Sequence, residues 1–113
     1  MDMEKFAARL SLLREQKGFS ARDMSLSIGQ SACYINKIEN RRTLPSLSTF
    51  FNICDFLNIS AKDFFDEDVK NPEYLNALTE NLKKLNNNSL AHIKGIVEIL
   101  IEAQENKNKT QRK

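Results

Sequence analysis

Cysteine and histidine are scarce in this chain: its 113 residues hold two cysteines, Cys33 and Cys54, and one histidine, His92. The cysteines share no CxxC spacing, which argues against a zinc site and a disulfide framework and fits a reducing compartment. His92 has no second candidate ligand beside it, so it reads as a surface or interface residue and no metal is expected. Long hydrophobic runs are missing too, and none approaches the roughly 20 apolar residues of a membrane span. The opening M-D-M-E-K-F lacks the basic-then-apolar order of a secretory signal, so a cytoplasmic protein is expected. Neither sign of charge is in large excess. A formal net charge of +2 does not by itself mark out a polyanionic partner. The chain also lacks a phosphate-binding loop, a nucleophile with a plausible base, and any carboxylate pair beyond scattered acids. No enzyme and no cofactor are expected, and no repeat occurs at a solenoid period.

What is present is helical periodicity in a chain that is 41% apolar and 28% charged. Seven helical segments and no convincing strand emerge. The first, about residues 3–17, puts Phe6, Leu10 and Leu13 on one face and stops at Gly18. Two short helices follow. Asn40 to Leu44 reads as a loop, and Pro45-Ser46 opens a fourth helix with Leu47, Phe50, Phe51, Cys54 and Leu57. Ser60-Ala-Lys-Asp63 caps a short fifth helix ending near Phe65. The phenylalanines read as the aromatic core of this first unit. Asp66 to Asn71 is an acidic, polar connector. Asn71-Pro72-Glu73 then starts a sixth helix with Leu75, Leu78, Leu82 and Leu85 at spacings of three, four and three. Asn86 to Asn88 breaks it, and Ser89 caps a seventh with Leu90, Ile93, Val97 and Leu100. Beyond Glu105 the chain is polar and basic and is expected to be flexible.

The stretch from Ser20 to Glu39, S-A-R-D-M-S-L-S-I-G-Q-S-A-C-Y-I-N-K-I-E, carries the most information. Ser20 and Asp23 form a capping pattern, and Met24 and Ile28 fall on one face. Gly29 supplies the permissive backbone of a sharp turn. Ser31 is a candidate cap for the next helix, in which Ile35 and Ile38 point inward. Ala32, Cys33, Asn36 and Lys37 are left outward, small or hydrogen-bonding with one positive charge. A helix held from behind with such a face can enter the major groove of DNA. Basic residues also gather locally. Lys37, Arg41 and Arg42 stand near a lone Glu39, and Lys107, Lys109, Arg112 and Lys113 close the chain without an acid.

From Phe6 to Phe65 the chain resembles the phage repressor and Cro-like helix-turn-helix domains, the Xre family, with a five-helix DNA-binding fold. The resemblance rests on the apolar residues Met24, Ile28, Ile35 and Ile38 around Gly29. It extends to I-E-N at 38–40, P-S at 45–46 and K-D-F-F at 62–65. It implies that Ala32, Cys33, Asn36 and Lys37 meet base edges. It further implies that Ser31, Tyr34, Asn40, Arg41 and Arg42 contact the DNA backbone, and that Arg14 and Glu39 form a structural ion pair. Three positions depart from the family pattern. Ala21 stands where glutamine commonly holds phosphate, Ser25 where alanine lets two helices approach, and Arg41 where glycine is frequent. A positive backbone dihedral at Arg41 would cost about 1 kcal/mol.

The expected fold is therefore all-α, a five-helix domain over residues 1–67 followed by a two-helix hairpin over 71–105 and a flexible basic tail over 106–113. The last two helices bury too little surface to stand alone. Their stripes, Leu75, Leu78, Leu82, Leu85, Leu90, Ile93, Val97 and Leu100, are expected to pair with a second copy across a two-fold axis. The function expected is sequence-specific binding of double-stranded DNA by a homodimeric transcriptional regulator, most simply a repressor on an inverted repeat. The alternative is an antitoxin or regulatory adaptor whose last helices hold a partner protein. Neither a membrane nor a small-molecule ligand is expected as a partner.

Overall fold

The computed structural model describes residues 1–111. Among them there are seven α-helices and no strand, so the fold is all-α. They are α1 (Met3–Lys17), α2 (Ala21–Ser27), α3 (Tyr34–Glu39), α4 (Leu47–Leu57), α5 (Ala61–Phe65), α6 (Pro72–Leu82) and α7 (Asn87–Gln111). Local chemistry explains most of the boundaries. Asp2 starts α1 by accepting from the Lys5 N–H at 2.8 Å, and Ser20 starts α2 by accepting from Asp23. Ser60 and Asp63 make a reciprocal capping box on α5. Ser46 accepts from Thr49, so Pro45 precedes the cap of α4 and lies outside the helix.

Two compact units result, one of Met1–Asn76 and one from Ala77 onward, the division falling within α6. The first unit does not end at residue 67 because the chain beyond stays attached to it. Pro72 is fully buried, Lys17 Nζ lies 3.5 Å from a Glu73 carboxylate oxygen, and the Asn76 amide donates to Asp63 Oδ2 at 3.0 Å. That hydrogen bond, with those from Ser60, holds the Asp63 carboxyl below its ordinary pKa.

The core of the first unit unites Phe6, Leu10 and Leu13 of α1, Met24 of α2, Ile35 and Ile38 of α3, Phe50, Ile53, Cys54 and Leu57 of α4, and Phe64 of α5. Phe64 is its aromatic centre, with ring centroids 4.9 Å from Phe6 and 5.1 Å from Phe50. The inward stripe of α4 is Phe50, Ile53, Cys54 and Leu57, a regular helical spacing. Phe51 and Phe65, expected in the core, fall off such stripes and remain 49% and 47% exposed. Burial pushes the Cys54 thiol up to about 11, which makes it a poor nucleophile at neutral pH.

Arg9 is the one charged side chain in this interior, 4% exposed. Its Nε donates to the Phe64 carbonyl at 2.7 Å, and its Nη2 to the carbonyls of Asp63 and Asp66 at 2.8 and 2.9 Å. These carbonyls belong to the last turn of α5, where a helix leaves its acceptors unpaired. One guanidinium from α1 thus closes the end of α5, more than fifty residues away in sequence.

In the second unit, α7 starts at Asn87, and the Asn86 side chain caps it by accepting from Ser89 N–H at 2.8 Å. The expected cap, Ser89, is that donor instead. The helix also continues through Gln111 where a flexible tail was expected. Ala103, Gln104, Glu105, Lys107 and Lys109 are good helix formers, and Glu105 stands four residues before Lys109. Arg112 and Lys113, also assigned to that tail, lie outside the described residues. No described helix is long and apolar enough to cross a membrane.

Replacing Arg9 with alanine leaves three carbonyls without their donor. The expected loss is about 3 kcal/mol of unfolding free energy, measured by urea denaturation followed by far-UV circular dichroism. A loss below about 0.5 kcal/mol would show that water replaces the guanidinium without penalty.

Candidate nucleic-acid interface

Six residues, Y-I-N-K-I-E, form α3. A helix this short has no stability of its own and must be held by its neighbours. Ile35 and Ile38 are fully buried and fasten its inner face to the core. The turn entering it is set by Gly29 at φ +76°, with Gly29 N–H donating to Leu26 O and Gln30 N–H to Ser25 O. This closes α2 as a Schellman motif, for which glycine is the natural residue.

Ser31 does not cap α3. The helix begins three residues later, and Ser31 to Cys33 make a turn in which the Ser31 carbonyl accepts from Tyr34 N–H at 3.0 Å. Cys33, at the cap position, makes no side-chain capping bond. The acceptor comes from α2. Ser25 is fully buried, and its Oγ accepts from Ile35 N–H at 2.9 Å while donating to Ala21 O at 2.7 Å. The serine that departs from the usual small residue is therefore a brace between the two helices.

At the other end, Glu39 turns inward toward α1. Arg14 reaches it with two bonds, Nε to Oε2 at 2.8 Å and Nη2 to Oε1 at 2.9 Å, and both side chains are mostly buried (14% and 11% exposed). The carboxylate raises the Arg14 pKa further above its ordinary value, chiefly through this hydrogen bond. Arg14 also donates to Phe19 O at 2.8 Å, and the Ser11 hydroxyl donates to Glu39. Ser11 was not singled out in the sequence, although it lies one turn before Arg14 on the same face of α1.

α3 closes at Arg41, which adopts φ +63°. Its N–H donates to Ile38 O and that of Arg42 to Lys37 O. The side chain of Arg41 lies 3.5 Å from Glu4, both groups being exposed. The chain therefore accepts left-handed strain of about 1 kcal/mol where glycine would carry none.

Cys33, Asn36, Lys37, Asn40, Arg41, Arg42 and Ser31 are exposed, and Ala32 and Tyr34 half-buried, with Tyr34 packed partly on the core. Since Glu39 is engaged from behind, the only acid of α3 is withdrawn from its outward face. That face offers an ammonium, a carboxamide and a thiol, followed at once by two guanidinium groups. Such a set donates hydrogen bonds and attracts anions. Ala21, at the start of α2, is partly buried against the core and contributes no polar group to it.

Residues 10–64 match the family model described as helix-turn-helix. This segment is a helix-turn-helix domain of the phage repressor and Cro-like kind, and the chain carrying it is a DNA-binding transcriptional regulator. Among curated proteins and among solved structures, none matches the chain.

Substituting Ser25 with alanine removes the acceptor from a buried N–H at the start of α3. The expected cost is about 2 kcal/mol in unfolding free energy, with faster hydrogen exchange at the Ile35 amide. An unchanged exchange rate there would show that Ser25 does not hold the helix.

Proposed function

We propose that this protein is a repressor that binds an inverted repeat in double-stranded DNA as a homodimer, α3 lying in the major groove of each half-site. The observation that carries the reading is the composition of the outward face of α3 once Glu39 has turned inward. Lys37 and Asn36 then take the base-reading role, with Ala32 and Cys33 as close-packed neighbours. Ser31, Tyr34, Asn40, Arg41 and Arg42 take the phosphate contacts that set register.

Dimerisation is supported by the second unit. Ile96, Val97, Leu100 and Ile101 of α7 are 57%, 45%, 56% and 49% exposed. An apolar surface of this kind marks an interaction site more often than a solvated face. A second copy is the occupant proposed for the stripe through Leu75, Leu78, Leu82, Leu85, Leu90, Ile93, Val97 and Leu100. It would also supply the second reading helix, about 34 Å from the first, that a palindromic site requires.

Selection of bound sequences from random DNA is expected to yield a palindromic consensus. Affinity should fall with salt at a log–log slope near −5, as for about six phosphates per dimer. Lys37→Ala should relax base preference, whereas Arg42→Ala should weaken all sequences alike. If both variants leave specific and nonspecific affinity unchanged, the assignment of α3 is wrong.

A double variant, Val97→Glu with Leu100→Glu, is expected to sediment as a monomer and to lose operator affinity about 100-fold or more. A variant that stays dimeric would place the interface elsewhere. A wild type that sediments as a monomer and copurifies in fixed ratio with an unrelated protein would favour the adaptor reading.

A further inference from the structure

On the outer face of α3, Asn36 and Asn40 stand one turn apart and are joined twice. The Asn40 Nδ2 donates to the backbone carbonyl of Asn36 at 2.8 Å and to its side-chain Oδ1 at 3.0 Å. The first of these bonds settles the orientation of both amides. A backbone carbonyl can only accept, so the Asn40 group facing it must be the NH2. The same NH2 then needs an acceptor on the Asn36 side chain, which is Oδ1. The Asn36 NH2 is thereby directed away from Asn40, on an exposed residue of α3.

We infer that Asn40 is a positioning residue that sets which edge of the Asn36 carboxamide is presented to DNA, and that it makes Asn36 a donor directed at guanine. This inference rests on the proposed role of α3 as the reading helix. An unrestrained asparagine reads adenine with both edges, donating to N7 and accepting from the N6 amino group. Here the accepting edge is drawn back toward Asn40, so the leading group is a pair of N–H donors. In the major groove those donors meet acceptors, and guanine offers two, N7 and O6. Lys37, the next residue, is also a pure donor and carries a positive charge. Two adjacent donors on one short helix therefore favour a guanine-containing step over an adenine-containing one. Asn40 is thus assigned a second task besides any phosphate contact.

The test is a sequence selection run in parallel on wild type, Asn36→Ala, Asn40→Ala and Asn40→Asp. Asn36→Ala identifies the base position that Asn36 reads, as the position whose preference collapses. At that position wild type is expected to favour guanine over adenine about tenfold. Asn40→Ala frees the carboxamide and should admit adenine beside guanine. Asn40→Asp replaces the donor with an acceptor, so the Asn36 amide should turn over and lead with its oxygen. Preference should then move to adenine or cytosine, which present amino groups. The added negative charge lowers affinity for every sequence and leaves the comparison of bases at one position intact.

The inference is overturned if both Asn40 variants keep the guanine preference, if wild type prefers adenine or cytosine there, or if Asn36→Ala alters no position. A wild type that yields a consensus along with any of these results leaves the DNA-reading function standing. A wild type that enriches no consensus at all overturns that function and this inference with it.

Discussion

The Arg14 guanidinium and the Glu39 carboxylate meet through two bonds of 2.8 and 2.9 Å, and α3 depends on that meeting. Six residues make less than two turns, too few to form a helix unaided. What stabilises α3 is external: Ile35 and Ile38 in the core, the Ser25 hydroxyl at its start, and Arg14 with Ser11 at its end. Each anchor comes from a different part of α1, α2 or the common core. Losing the pair would leave a mostly buried carboxylate without its partner, which is far costlier than losing an exposed one.

The same contact shapes the electrostatics. By turning Glu39 inward, Arg14 removes the one negative charge that α3 would otherwise present beside Lys37, Arg41 and Arg42. A chain with a formal charge of only +2 thereby gains a local surface suited to an anion. Structure and charge are set by one interaction, so stability and DNA affinity should respond together when it is perturbed. Asn40 works at finer scale on the same helix, orienting a single amide.

Features that depend on near neighbours were readable from the sequence. The Ser20 cap, the Gly29 turn, the Ser60–Asp63 box and the inward isoleucines each follow from spacing within a few residues, and all appear in the fold. What escaped depends on residues far apart or on competition between neighbours. Arg9 caps a helix more than fifty residues away, which no local pattern announces. Ser31 has the chemistry of a cap but loses the role to Ser25, a residue of another helix. Ser89 loses it to Asn86, whose side chain reaches the same turn first. Phe51 and Phe65 are apolar yet stand off their helices' inward stripes. In the candidate interface, periodicity left Ala32, Cys33, Asn36 and Lys37 outward, and of these Ala32 is half-buried and precedes α3. The hydrogen bond that orients Asn36 required side-chain geometry.

The central claim, that the outward face of α3 and the loop after it meet DNA, is tested most directly by mapping amide chemical shifts during titration with the selected operator. The account predicts the largest changes at Cys33, Asn36, Lys37, Arg41 and Arg42, with the amides of α4 and α7 shifting little. Perturbations concentrated on α4 or on α7, with those of α3 unchanged, would contradict it.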